Sequence, residues 1–227
     1  MPVLSRLDIK GEDIRSETIL HEYADLAPTK VVYAENSLLV SARANTADSD
    51  SRTGVLMRID LNGGVIWAAQ FAPENGGGRY ISDICVSEEG VIAIACAEYG
   101  PHPDEGRWCD MTGLSMDGEV LWNHKTGYDR VDYLLPVKGG FLCVSQGLDA
   151  YNCPFLGEGW VLLLDKDGNV KAADSAPDIG GGKVEIYGVA SGLNGEALLY
   201  GTVLEDPGFP DKPFYATLDF PEAYVPR

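Results

Sequence analysis

The chain has no uninterrupted apolar run near the roughly 20 residues a membrane helix needs, and Met1-Pro2-Val3-Leu4-Ser5-Arg6 lacks an apolar stretch of signal-peptide length. These absences predict a cytoplasmic protein with no membrane partner. Basic residues are scarce: 17 Lys+Arg stand against 35 Asp+Glu in 227 residues, a formal net charge of −18. A field of that sign repels polyphosphate, so no nucleic-acid partner is expected. The three histidines, His21, His102 and His124, are scattered, and no spacing brings a nucleophile, a base and an orienting group together. Five cysteines, Cys85, Cys96, Cys109, Cys143 and Cys153, include no C-x-x-C pair and no histidine at metal-ligand spacing, which leaves them as packing thiols. No segment sustains a helical period with caps. Against these absences, 45% hydrophobic and 23% charged residues are ordinary for a folded chain, so the acidity is not that of a disordered tail.

What is present is repetition. Leu56-Met57-Arg58-Ile59-Asp60-Leu61-Asn62-Gly63-Gly64-Val65-Ile66-Trp67 aligns with Thr112-Gly113-Leu114-Ser115-Met116-Asp117-Gly118-Glu119-Val120-Leu121-Trp122. A third copy is Leu162-Leu163-Leu164-Asp165-Lys166-Asp167-Gly168-Asn169-Val170-Lys171, and shorter ones are Tyr215-Ala216-Thr217-Leu218-Asp219-Phe220 and Ser5-Arg6-Leu7-Asp8-Ile9-Lys10-Gly11. Equivalent positions 8, 60, 115, 165 and 219 lie 52, 55, 50 and 54 residues apart, the length of a propeller blade. Each full copy reads as two hairpins. A leading a-b pair turns at Glu35-Asn36, Glu89-Gly90, Gly139-Gly140 or Asn194-Gly195, and a trailing c-d pair at Asn62-Gly63, Asp117-Gly118 or Asp167-Gly168.

The pattern Asp60-x-x-Gly63-x-x-x-Trp67, with Ser115-x-x-Gly118-x-x-x-Trp122, resembles the blade repeat of quinoprotein-like, WD-repeat-like and related bacterial β-propellers, and the likeness spans most of the chain. The resemblance implies that the tryptophan packs between neighbouring blades. Ala172 and Pro226 stand at its position in the last two copies. The cofactor-binding members have many more blades than this chain can form, so no cofactor is expected. The expected fold is all-β: a single small β-propeller of about four four-stranded blades, at approximately residues 29–71, 79–126, 130–174 and 183–227. An extra c-d hairpin at 4–20 would complete or extend the last blade. The alternative is an open four-blade array completed by a second copy through unpaired sheet edges.

In a propeller the b-to-c and d-to-a connections share one face. The b-to-c connections, 44–53, 97–109, 146–159 and 202–213, are long and carry acids among aromatics: Asp48, Asp50, Tyr99, Asp104, Glu105, Trp108, Asp149, Tyr151, Phe155, Glu205, Asp206, Phe209 and Asp211. Such a mixture suits capture of a basic protein surface, or else forms a solvated rim whose aromatics fold back on the blades. Asn75-Gly76-Gly77-Gly78-Arg79-Tyr80 and Ile179-Gly180-Gly181-Gly182-Lys183 read as an anion-facing nest or as flexible turns, without the ending of a phosphate loop. Spacing also aligns Lys30, Asp83, Asp132 and Glu185 on the inner strands. The acids Asp83, Asp132 and Glu185 are a candidate axial cation site, set against simple neutralisation by Lys30 and water.

The reading that follows is a non-catalytic, acidic protein-binding module for a basic partner, similar in general character to bacterial immunity proteins that mask toxins. The alternative is a carbohydrate-binding or glycoside-processing propeller with Trp108, Tyr151 and Trp160 as stacking platforms.

Overall fold

In the computed structural model the described residues are 3–7, 13–18, 26–45, 52–74, 77–100, 107–126, 130–145, 160–175, 183–191, 197–204 and 212–218. All regular structure among them is β. A hairpin of β1 (Val3–Leu7) and β2 (Asp13–Thr18) precedes four antiparallel sheets, each laid down in chain order. The first sheet is β3 (Leu26–Ala34), β4 (Ser37–Asn45), β5 (Arg52–Asp60) and β6 (Val65–Phe71). The second is β7 (Gly78–Val86), β8 (Ile92–Tyr99), β9 (Arg107–Leu114) and β10 (Val120–Lys125). The third is β11 (Tyr133–Val137), β12 (Gly140–Ser145), β13 (Trp160–Asp165) and β14 (Val170–Ser175). The fourth is β15 (Lys183–Ser191), β16 (Ala197–Leu204) and β17 (Lys212–Leu218). Successive sheets pack face to face: β3, β4 and β5 meet β7, β11 meets β7 and β8, and β15 meets β11. This is the small propeller-type array that the repeat predicts.

The hairpin differs from expectation. Among the described residues β1 and β2 pair only with each other, and the last sheet has three strands. Self-similarity identifies a hairpin but carries no information about which edge it joins.

The period-2 alternation of the strands supplies two apolar faces per sheet, so cores form between sheets. Leu39 and Leu56 of the first sheet pack with Ile81, Ile84, Ile92 and Ile94 of the second. Cys85, Ala95 and Met111 of the second pack with Leu134, Phe141 and Cys143 of the third. Leu142, Val144 and Leu163 of the third pack with Ile186, Leu199 and Phe214 of the fourth.

The repeated motif is explained by its turn. The Asp60 carboxylate accepts the Asn62 and Gly64 N–H groups at 2.7 and 2.9 Å, and Asp165 accepts those of Asp167 and Asn169, both at 2.9 Å. Ser115 does the same with its hydroxyl toward Asp117 and Glu119. A short polar side chain at this position therefore ties the turn to itself. The glycine three residues on holds positive φ: 90° at Gly63, 86° at Gly118 and 79° at Gly168. The tryptophan then reaches the next sheet. Trp67 Nε1 donates to Met116 O at 2.9 Å, and Trp122 Nε1 to Lys166 O at 2.8 Å. Each ring lies over the turn glycine of the following sheet, so a Cβ on Gly118 would meet Trp67 at 3.1 Å and one on Gly168 would meet Trp122 at 2.6 Å. Arg58 adds a second tie at the first junction, donating to Met116 O at 2.8 Å and to Ser37 Oγ at 2.9 Å. At the third junction exposed Ala172 stands in the tryptophan position, and the Tyr133 hydroxyl donates to Ile186 O instead.

Burial works against the Asp165 charge, but the Lys171 ammonium, the Asn169 N–H and amide and the Asp167 N–H outweigh it and hold the carboxyl at about 2. A depressed carboxylate stabilises the folded turn above its ordinary value near 4, and that contribution is lost as pH falls through about 2. Because the turn is on the surface, the effect is below about 1 kcal/mol. Carbon-detected NMR should place the Asp165 titration near 2, and Lys171→Met should move it upward.

Cys85, Cys96, Cys109 and Cys143 are free and buried. Burial raises all four thiols, Cys96 to about 12 even with the Arg79 charge beside it. A thiol-specific colorimetric reagent should therefore react with none of these four in the folded protein and with all four in denaturant. Cys153 lies outside the described residues.

Candidate functional site

The inner strands β3, β7 and β15 each carry a one-residue irregularity, between Pro28 and Lys30, Ile81 and Asp83, and Ile186 and Gly188. Such bulges re-aim the side chain that follows. The residues directly after them pair with Ser41, Ala95 and Tyr200, and the third-sheet counterpart is Tyr133, opposite Val144. The equivalent inner positions are therefore Lys30, Asp83, Tyr133 and Gly188. Asp132 lies one residue out of this alignment and Glu185 three, because spacing alone cannot count through a bulge.

These positions stitch the sheets. The Lys30 ammonium pairs with Asp83, whose other carboxylate oxygen accepts the Leu134 N–H at 2.7 Å. Asp83 also accepts the Ile84 N–H at 2.9 Å. One carboxylate thus joins three sheets, and Tyr133 continues the line to the fourth. Asp132 pairs with Arg130 on its own segment. The Glu185 side chain lies outside the described residues, so two of the three proposed cation ligands are placed, both engaged by cations of the chain. Among the described residues no group of three or more His, Cys, Asp or Glu is arranged to hold a metal.

Because equivalent inner positions touch across the sheets, all four run in the same sense and their b-to-c connections leave from one end. Tyr99 ends β8 and Trp108 lies near the start of β9, both half-buried at that end of the second sheet. The Tyr99 ring occupies the space a side chain on Gly78 would need. Asp48, Asp50, Asp104, Glu105, Asp149, Tyr151, Phe155, Glu205, Asp206, Phe209 and Asp211 lie outside the described residues, though the strands that flank them are placed.

Just beneath this end is a buried charge cluster that sequence reasoning missed. Arg79 pairs with Glu98 across β7 and β8, and Asp110 of β9 projects from the same face. Arg79 Nη2 donates to Asp110 Oδ2 at 3.2 Å, and its Nε lies 3.8 Å from Glu98 Oε2. The three side chains are 10, 2 and 5% exposed. Glu98 Oε1 also accepts the Glu74 N–H at 2.9 Å, while Glu98 Oε2, Asp110 Oδ1 and the neighbouring Thr112 Oγ1 have no hydrogen-bond partner. Two carboxylates thus share one guanidinium beneath this end of the second sheet. Arg79, which follows the triple-glycine segment, is thereby engaged within its own sheet.

One other expectation changes. Trp160 is 7% exposed and packs with Cys109, Phe141 and Cys143 between the second and third sheets, so it cannot stack on a sugar. His124 is half-buried on β10, while His21 and His102 lie outside the described residues. No helix among the described residues is long and apolar enough to cross a membrane.

No family model and no curated protein matches this chain. Among solved structures, an acylaminoacyl peptidase of Pyrococcus horikoshii is similar at 10% identity and a TM-score of 0.45, over 88% of this chain and 33% of that one. An acylaminoacyl peptidase in complex with Z-Gly-Gly-Phe-chloromethyl ketone is similar at 9% identity and a TM-score of 0.47, over 87% and 33% of the two chains. The chain spans about a third of the length of these peptidases.

Proposed function

We propose that this protein is a non-catalytic binding module that holds a basic protein partner on the face from which the four b-to-c connections emerge. The observation that carries the reading is the common sense of the four sheets. It sets the strand ends that flank the acidic segments 46–51, 101–106, 146–159 and 205–211 at one end of the array, close to a buried cluster with two carboxylates to one guanidinium. Acid-rich surfaces accelerate encounter with a cationic partner, and the half-buried Tyr99 and Trp108 at the flanking strand ends support aromatic anchoring there. The net charge of −18 reinforces the same preference.

The test uses cationic probe proteins captured on the immobilised chain at low and high salt. Affinity should fall at least about tenfold from 50 to 300 mM salt, and by a similar factor when Asp104, Glu105, Asp206 and Asp211 are changed together to lysine. Binding indifferent to both manipulations would reject the reading. The carbohydrate alternative loses Trp160 as a platform and is left with Trp108 and Tyr151.

A further inference from the structure

The chain builds one kind of junction three times and leaves a part of each of its halves exposed at opposite ends of the array. On the leading side, Val31 and Tyr33 of β3 are 54 and 63% exposed. Their register equivalents in β7 are Ile84, fully buried against the first sheet, and Val86, partly buried there. On the trailing side, Tyr200 and Tyr215, cross-strand partners on β16 and β17, are 42 and 76% exposed. Their equivalents in the second sheet are Ala95 and Met111, both 0% exposed in the core shared with the third sheet. Tyr187, at the β15 irregularity, is 45% exposed and bonds to Thr202 beside this face. Among the described residues β15 makes no broad contact with β3, so the chain does not join these faces to each other.

We infer that the two end faces are completed by a second copy of this chain, the last sheet of each copy packing on β3 of the other. Two such junctions related by a two-fold axis satisfy all four exposed faces at once. They close eight sheets into one ring, a blade number within the ordinary propeller range. The occupant follows from the chain's own interfaces: the trailing face of a sheet has, three times over, the leading face of the next sheet as its complement. The contact falls on the inner strand β3 of the receiving sheet, as β3, β4 and β5 together meet the inner strand β7 and β11 meets β15, because the leading face of β4 and β5 is already buried. Chemistry favours these faces too. The trailing face presents Tyr187, Leu198, Tyr200, Thr202, Tyr215 and Thr217, and its register adds a single acidic position, Glu185 opposite Thr202, in a chain of charge −18. Aromatic surfaces with so few acids are what like-charged protomers can bring together.

Sedimentation equilibrium should give twice the 24.4 kDa chain mass, with the dimer tightening as salt rises because two chains of charge −18 repel less when screened. This sign is opposite to that expected for a basic partner on the loop face, so either idea can fail alone. Val31→Asp and Tyr215→Glu should each weaken dimerisation at least tenfold, whereas Leu121→Asp, at an exposed position on β10 of an interior sheet, should not. All three replace exposed side chains, and circular dichroism would confirm that each variant folds. Mixing the Val31→Asp and Tyr215→Glu chains should restore a dimer, since one of the two junctions is then wild type on both sides. A constant single-chain mass, a mass that climbs without limit, or a mixture that stays monomeric would overturn the inference.

Discussion

Arg79→Ala is expected to destabilise the protein by roughly 3–5 kcal/mol, the cost of leaving buried carboxylates without their counter-charge. Glu98 and Asp110 are 2 and 5% exposed, and Arg79 is the cation between them. Removing it strands two negative charges inside the junction of the first and second sheets, with Glu98 Oε2 and Asp110 Oδ1 already lacking hydrogen bonds. Chemical denaturation followed by tryptophan fluorescence measures the loss. The companion is the triple replacement Arg79→Met, Glu98→Leu, Asp110→Leu. It should recover most of the stability or exceed the wild type, because a well-packed apolar set avoids the desolvation cost of all three ions. A single variant losing less than about 1 kcal/mol would mean that water reaches the cluster and that its burial is only geometric. If the triple variant is stable yet captures cationic probes less well, the buried charge also contributes to the field of the loop face.

The reach of the sequence follows the range of each interaction. The c-d turns were legible because their physics is local: Asp60, Ser115 and Asp165 bind N–H groups two and four residues away, and Gly63, Gly118 and Gly168 supply the positive φ. The all-β array followed from repeating that unit. The inner positions were not legible, since the irregularities in β3, β7 and β15 move the facing residue without changing the apolar pattern around it. Lys30 and Asp83, which are true counterparts, were therefore grouped with Asp132 and Glu185, when the positions that match them in the third and fourth sheets are Tyr133 and Gly188. The buried triad was invisible for a related reason. Arg79 read as the end of a glycine run, while Glu98 drew no notice. Only the pairing of Arg79 with Glu98, and of Cys96 with Asp110, puts them on one face. A signal did exist: charged residues at the ends of the otherwise apolar runs in β7, β8 and β9, recurring with parity two. Trp160 was misjudged because it follows an acidic, glycine-bearing loop, yet its register opposite Ser145 turns the indole into the core.

Trp122→Ala is the second large expected effect, a loss of roughly 3 kcal/mol. The indole fills the space above Gly113, donates to Lys166 O at 2.8 Å and lies with its centroid 5.9 Å from that of Phe141, so truncation opens a gap between the second and third sheets. Placing the cost at the junction requires a partner mutation. Gly168→Ala adds a Cβ at a residue with φ of 79°, which costs about 1–2 kcal/mol wherever it occurs. In the wild type that Cβ also meets the Trp122 ring at 2.6 Å and must displace it. In the Trp122→Ala background only the backbone strain remains. The double-mutant cycle should therefore show the pair to be less harmful than the sum of the singles, with a coupling of about 1–3 kcal/mol. The same cycle between Gly168 and Ala172, the residue at the tryptophan position of the third sheet, should be additive within about 0.5 kcal/mol, since nothing from Ala172 covers a turn glycine. If the first cycle is also additive, the tryptophan stabilises its own sheet and does not dock on the next one, and the junction rests on the apolar cluster around Phe141 and Cys143 alone.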